Sequence, residues 1–461
     1  VAVVGGGMAG MNAALSAAEQ GLRVCLFEQR PWLGGHDDWR VSDFEGQALY
    51  QRARELAAAV EADDRIRVLT HAPVNGIWGD NLITGFQVGN PGDYYTERYY
   101  ECRAITVVVA SGCIERPLLC NNNDRPGVMQ VNAAVRLAHT YGISPGRQAV
   151  FSVGDDLGLE GALDLHRLGI EVPVVADARI KGHNQQLVSG LEAAGIEFLP
   201  GWAASDVKGS KKVKAVTLGQ RDGSSSRDFS CDLFAASAGL QSVIGPLSTA
   251  KAKFRFCTDT GMFQPSCLPE RIFAAGRMLA YANPGSIEAS GRLAGLEAAA
   301  ACGADVRAKL GTAQECLSSL PGKAQGCDLV HGPDLGTGNK AFICFDGDGT
   351  YKNAVQCAEQ GFDVPELAKR FGGFGLGPGQ YQAPGQNLAM VMSDITGAPL
   401  QETLGTTVRP PLVAPTLATY TGPRHSIYKQ TPLHRDQAAR GGIFRNAGVW
   451  RRARYFSEDL D

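Results

Sequence analysis

Short apolar runs, each ending on a glycine or an acid, alternate with helix-period segments from the first residue onward. Val1-Ala2-Val3-Val4 has strand length and runs into Gly5-Gly6-Gly7-Met8-Ala9-Gly10. Residues 11–21 read as an Ala-rich helix, and Leu22-Arg23-Val24-Cys25-Leu26-Phe27 as a second strand ending on Glu28. A helix over 48–62, a strand over 66–70 and a short strand at Val74 follow. The fully apolar stretch 104–110 then closes on Ser111-Gly112. A strand without a polar face is buried on both sides, the condition of a parallel strand between two layers. The theme recurs more weakly: a strand over 149–153, the turn Gly154-Asp155-Asp156-Leu157-Gly158, a helix over 159–168, and a strand over 172–176 ending at Asp177. Residues 271–276 return as an apolar strand meeting a glycine, with a helix over 285–302 behind them.

This order predicts a three-layer α/β fold: two Rossmann-like dinucleotide-binding domains followed by a small, mostly helical module. The first domain is discontinuous, residues 1–115 plus 240–302. Residues 116–239 form the second, degenerate nucleotide-binding domain, and 303–340 a Gly/Ser/Pro-punctuated connector. The small module covers 341–404, with helices over 351–360, 364–371 and 387–395. Residues 405–461 are an extended Pro/Thr-rich linker and the truncated start of a further domain. The last stretch carries Ile427, Leu433, Val449, Trp450 and Phe456 with too little sequence to bury them. The natural chain is therefore expected to continue past Asp461, and also to begin before Val1, since no Met or polar lead-in precedes the first strand.

The first turn satisfies G-x-G-x-x-G at Gly5, Gly7 and Gly10. Gly5 allows the strand-to-helix turn, Gly7 lets the backbone approach a pyrophosphate, and Gly10 lets helix and strand pack closely. The helix N-terminus offers N–H groups to phosphate, and Glu28 can accept from ribose hydroxyls. In the second domain Asp155 and Asp156 place carboxylates where a pyrophosphate would lie, which favours a structural role over a vestigial NAD(P)H site. A formal net charge of −3 over 461 residues argues against nucleic-acid binding and against a polybasic membrane patch. No apolar run approaches the roughly 18 residues of a membrane span, and no signal peptide is visible, so the expected location is cytoplasmic. None of the 12 cysteines stands in a C-x-x-C pair. Cys113 and Cys120 are too far apart for a redox pair, and the thiols read as buried apolar side chains rather than metal ligands.

Several segments resemble the alpha subunit of heterotetrameric sarcosine oxidase, within a wider group that includes hydrogen cyanide synthase, opine oxidase and dye-linked proline dehydrogenase subunits. They are VVGGGMAGMNAAL, FEQRPWLGG, ASGCIERPLLCNNNDRPGVM, AGRMLAYANPGSIEASGRLAG, GTTVRPPLVAPT and TPLHRDQAARGGIFRNAGVWRRARYF. The resemblance implies a pyridine nucleotide-disulfide oxidoreductase-like pair of domains. It also implies NAD in the first domain (FAD as the alternative) and an FMN shared with a beta-type partner. Gamma- and delta-type subunits complete such a complex. The complex oxidises sarcosine and passes the methylene group to tetrahydrofolate, releasing peroxide. The segment 431–456 is similar to the entry of an aminomethyltransferase-like, folate-binding domain. The small module is similar to a ferredoxin-like one that elsewhere holds an iron–sulfur cluster, but only Cys344 remains, with Asp346 where a second thiolate would be, and four are needed.

On this reading the chain holds binding residues, no metal ligands and no catalytic residue for amine oxidation. The pyrophosphate is expected on Gly5, Gly7, Met8, Ala9 and Gly10 and the ribose on Glu28. Gln29, Arg30, Gly35 and His36 would lie along the adenosine and phosphates, with Val74 at the adenine. Ala110, Ser111 and Gly112 would end the neighbouring strand, and Gly276 and Pro284 close the far side. His36 has no acid partner that would make it a base. In two-dinucleotide-domain flavoproteins an acid follows the glycine of the closing strand; here Arg277 stands there, which counts against a complete FAD site. A subunit of a related cyanide synthase, opine oxidase or proline dehydrogenase complex, a self-sufficient FAD- and NAD(P)H-dependent reductase, and a non-catalytic scaffold remain as competing readings.

Overall fold

Ala2–Val4 lies at the centre of a five-stranded parallel sheet in the order Ile272–Ala274, Val107–Val109, Ala2–Val4, Val24–Phe27, Ile66–Leu69. Val3 pairs with Leu26 and Val108, and the three point into one core with the helices Met8–Ala18, Leu49–Ala62 and Pro284–Ala301. Ala2, Val4, Val107 and Val109 point to the opposite face, where Ile77 and Ile83 cover them. Both faces are thus apolar because both are covered, as the uninterrupted Val and Ala runs predict.

In this computed structural model the described residues are 1–323, 325–327, 331–333, 340–379, 382–400, 408–420 and 428–456. They fall into two compact units, Val1–Ala414 and Pro415–Asp461.

The second layer on the first sheet is an antiparallel meander, Val74–Trp78, Leu82–Val88 and Glu97–Arg103, of which the sequence reading had only the start at Val74. Its first hairpin turns through Asp80 and Asn81, both at positive φ. Tyr100 stacks on Phe27 at 5.0 Å between ring centroids and seats the meander on the sheet. The second domain repeats the plan. Its parallel sheet runs Val128–Gln130, Leu233–Ala236, Gln148–Val153, Glu171–Asp177, Glu197–Pro200, with helices on one face and the meander Trp202–Lys208, Ala215–Gln220, Ser226–Ser230 on the other. The antiparallel strands Cys113–Glu115 and Leu240–Ser242 carry the chain out of the first domain and back.

The expected connector contains a helix, Arg307–Ser319. Its sparse apolar positions Val306, Leu310 and Ala313 fall on one face and pack on Leu296. In the small module the helices Tyr351–Glu359, Pro365–Gly372 and Pro384–Thr396 surround Phe374 and Cys357. Residues 401–407 and Ile427 lie outside the described residues. Val408 and Leu412, expected in an extended linker, are buried against the first domain, and the Val408 amide donates to Ser248 Oγ at 3.1 Å. The second compact unit, taken alone, has a hairpin, Ile443–Ala447 with Trp450–Tyr455, beside the short helix His434–Ala439; Leu433, Val449 and Phe456 are exposed.

The helix Met8–Ala18 begins at the turn itself, with Gly7 extended as its N-cap, rather than at residue 11. It is pressed against Pro284–Ala301 so closely that a Cβ on Gly291 would lie 2.1 Å from the Ala9 carbonyl oxygen, and one on Gly295 2.4 Å from that of Ala13. Gly291→Ala is expected to lower stability by about 1–3 kcal/mol through overpacking. Gly311→Ala, in a helix with nothing within 4 Å of the new methyl, is expected to raise it by about 0.5–1 kcal/mol. Denaturant melts of the two variants check both signs.

Candidate dinucleotide-binding site

The cleft at the carboxyl edge of the first sheet gathers almost every residue singled out from the sequence. Gly5, Gly7, Met8 and Ala9 form its floor; Glu28, Gln29, Arg30 and Val74 line it on one side; Gly35, His36, Ala110, Ser111 and Gly112 line it elsewhere. Gly10, Gly276 and Pro284 do not. A Cβ on Gly10 would fall 1.8 Å from the Gly5 carbonyl oxygen, and Gly276 packs on Ala9, so both serve packing. Pro284 is the first residue of its helix, behind an Asn283 side chain that caps Ser286 N–H.

The glycines of the turn differ in what demands them. Gly5 sits at φ +106 with Ala110 O where a Cβ would go. A Cβ on Gly7 would meet nothing nearer than Gly35 Cα at 3.8 Å. Glu28 is buried with one carboxylate oxygen accepting from Gly6 N–H at 2.7 Å and the other from Arg30 N–H at 2.8 Å. Burial pushes its carboxyl up, and these backbone donors pull it back. The acid is held rigidly at the strand end with lone pairs to spare.

Arg30 is not a free surface cation. Its Nη1 donates to Gly35 O at 2.7 Å and its guanidinium lies 4.8 Å over the Trp39 ring, which folds the 30–36 loop back toward the turn. Gly34 N–H closes that loop on Gly6 O at 2.9 Å. His36 is half-buried; desolvation, with the Arg277 charge nearby, pushes its pKa down to about 3, so the ring is neutral. Its Nε2 hydrogen-bonds Asn132 Oδ1 at 3.0 Å, a residue of the second domain. Ser111 Oγ donates to Val243 O at 2.7 Å.

The sequence reading missed a buried ionic chain beside the cleft. Arg277 Nη2 and Arg40 Nη1 both donate to Asp37 Oδ1 at 2.8 Å, and Arg40 Nη2 reaches Glu160 Oε2 at 2.6 Å. The only local signal was Arg277 after Gly276; its partners are distant in sequence. In the small module, Cys344 Sγ accepts from Gly375 N–H at 3.2 Å and Asp346 Oδ2 from Gly379 N–H at 2.7 Å. Among the described residues no three His, Cys, Asp or Glu side chains converge on a metal-sized site, and no helix is long and apolar enough to cross a membrane.

Residues 1–287 match the profile described as pyridine nucleotide-disulphide oxidoreductase. The chain belongs to this family. Its members carry a dinucleotide such as FAD or NAD, and the α/β architecture with two parallel sheets agrees. Residues 338–423 match the sarcosine oxidase A3 domain. The chain is 26% identical to sarcosine oxidase subunit alpha of Corynebacterium sp. (strain P-1), over all of this chain and 49% of that one. It is 25% identical to that of Rhizobium meliloti (strain 1021), over 98% of this chain and 46% of that one. It thus spans about half the length of the curated relatives it matches. The resemblance to sarcosine oxidase alpha subunits read from the sequence is borne out. Among solved structures, L-proline dehydrogenase from P. horikoshii superposes with a TM-score of 0.68 at 21% identity, covering 91% of this chain and 78% of that one. Thioredoxin reductase of T. acidophilum gives 0.50 at 16% identity, over 65% and 96%. These two likenesses concern fold.

Behind His36, the Asn132 backbone N–H donates to Glu115 Oε2 at 2.9 Å. Burial, aided by the Asp155 carboxylate, holds the Glu115 carboxyl well above its usual range. The folded chain keeps a proton there that the unfolded chain releases above about pH 4.5, so this group lowers stability as pH rises from that point. Glu115→Gln retains an acceptor for Asn132 and removes the ionisation. It is expected to raise the melting temperature at about pH 8 and change it little at about pH 4.5; equal shifts at both would contradict the assignment.

Proposed function

We propose that this chain is the NAD-binding, alpha-type part of a cytoplasmic sarcosine oxidase complex. The single observation that carries the cofactor reading is the open cradle at Gly7. Gly5 and Gly10 are glycine because backbone atoms of the chain itself crowd them, whereas a Cβ on Gly7, at the N-terminus of Met8–Ala18, would make only an ordinary contact with Gly35 Cα at 3.8 Å. A bare position there is explained by a group that approaches the backbone, and the helix N-terminus favours an anion.

The residues then divide the work. N–H groups of the turn hold phosphate, and Glu28, fixed by Gly6 and Arg30, accepts from ribose hydroxyls and disfavours a 2′-phosphate. Val74 offers backbone and apolar surface to the adenine. Arg30, tied to Gly35 O and Trp39, keeps the loop over the phosphates. Neutral His36 holds the same loop to Asn132 and carries no charge to the site. NAD bound in this cleft supplies a nicotinamide able to exchange a hydride. A guanidinium at Arg277, which only donates, favours NAD over the polyol of FAD, whose hydroxyls an acid would receive.

Amine oxidation is assigned to a beta-type partner carrying FAD, with FMN shared at the boundary between the two chains and gamma- and delta-type subunits completing the assembly. The names of the relatives at 25–26% identity, sarcosine oxidase subunit alpha, support a multi-subunit oxidase; the division of cofactors among its subunits is what the sequence resemblance implies. Sarcosine, oxygen and tetrahydrofolate are the substrates of the whole complex. The folate site belongs to sequence of the kind that 431–456 opens.

The branched side chain of Val at position 7 would fill the cradle, where a Cβ alone would lie 3.8 Å from Gly35 Cα. Purified Gly7→Val is expected to lose its adenine dinucleotide, read by mass spectrometry of the nucleotide released on denaturation; full retention would move the site elsewhere. The chain without its partners is expected to form no peroxide from sarcosine when FAD is added. Turnover by the chain alone would replace the subunit reading with that of a self-sufficient oxidase.

A further inference from the structure

Arg277 brings to the cleft a donor that the protein leaves unused. The residue is 6% exposed and lines the cleft together with Gly7 and Ala9. Its Nη2 is spent on Asp37, but its Nη1 is buried with no hydrogen-bond partner among the described residues. A buried guanidinium donor is costly unless something accepts from it. Asp37 is already shared with Arg40, and neutral His36 offers no charge.

The topology says where along a ligand this donor falls. Glu28 follows the strand Val24–Phe27 and Gly5 follows the neighbouring Ala2–Val4. Arg277 follows Ile272–Ala274, two strands farther in the same direction. The strand ends that carry Glu28 and Arg277 thus stand three strand spacings apart, about 14 Å, with the phosphate-binding turn between them, and the Arg277 guanidinium reaches back from its end to Asp37 at 2.8 Å. A guanidinium has five donors and no acceptor, so its partner is an oxygen rich in lone pairs.

We infer that Arg277 Nη1 binds the second phosphate of a dinucleotide, the one remote from the adenosine, and makes tight binding depend on a diphosphate. This rests on the dinucleotide reading of the same cleft. Charge-assisted bonds of this kind are worth roughly ten-fold or more in affinity.

Calorimetric titration of the full chain with AMP, ADP and NAD tests it, using the wild type, Arg277→Gln and Arg277→Lys. Arg277→Gln is expected to weaken ADP and NAD by about ten-fold or more while leaving AMP within about two-fold, and Arg277→Lys to recover part of the loss. If the Gln variant fails to fold, the Lys variant carries the same comparison, with a smaller loss confined to ADP and NAD. Equal losses for all three nucleotides, or none, overturn the inference and leave the dinucleotide site standing. A wild type that binds none of the three overturns both.

Discussion

Contact between bare backbones around the helix Met8–Ala18 is the constraint on which the rest of the first domain depends. A Cβ would lie 1.8 Å from Gly5 O at Gly10, 2.1 Å from Ala9 O at Gly291 and 2.6 Å from the Ala9 methyl at Gly276. At each position a side chain would push the helix away from the strand turn or from its partner helix. With all three bare, the first turn of the helix is clamped from several sides. Its N–H groups are then aimed before any ligand arrives, so little ordering remains to oppose binding. Gly7 stands among these clamped positions with only an ordinary contact, Gly35 Cα at 3.8 Å, on its own Cβ side. The difference separates glycines that build the cradle from the one that is its floor.

That logic explains what was readable in the sequence. The glycine turn, the flanking strands and Glu28 lie within some thirty residues and the pattern carries them whole, although the Ala110 carbonyl that crowds Gly5 comes from far along the chain. The meander over 74–103 was less legible. Leu82–Val88 and Glu97–Arg103 mix apolar and polar residues, and what marks them is the Gly79-Asp80-Asn81 turn, with Asp80 and Asn81 at positive φ. The helix Arg307–Ser319 hides for a related reason, since a helix that only leans on its neighbour needs few apolar positions. Arg277 could be seen as a departure, but the choice of Asp37 as its partner, 240 residues away, is a tertiary decision that no local pattern records.

The two nucleotide-binding domains answer one electrostatic problem in opposite ways. A helix that starts at a strand end leaves N–H groups and a partial positive charge at its N-terminus. In the second domain Asp155 sits at that point and accepts from Gly158 N–H at 2.8 Å, while Asp156 is bound by Arg179, itself paired with Asp177. The anion is built into the chain. In the first domain the equivalent cap is Gly7, which has no side chain to offer. The role falls to a ligand, and the carboxylates that looked misplaced in the second turn are what lets that turn stand without one.

The second domain is nonetheless coupled to the cleft of the first. Glu160, on the helix Asp156–Arg167, binds Arg40; Arg40 binds Asp37; and Asp37 orients Arg277 at the cleft. Each link is buried or nearly so, and a buried ion pair gives up its attraction and keeps its desolvation cost when one member is removed. The chain of charges therefore holds the Arg277 guanidinium in one orientation more firmly than packing of a flexible side chain would. A domain whose own turn is closed to phosphate thus helps fix the geometry of the turn that is open to it, and Glu160, Arg40 and Asp37 are bound to one another by that geometry as much as by the fold.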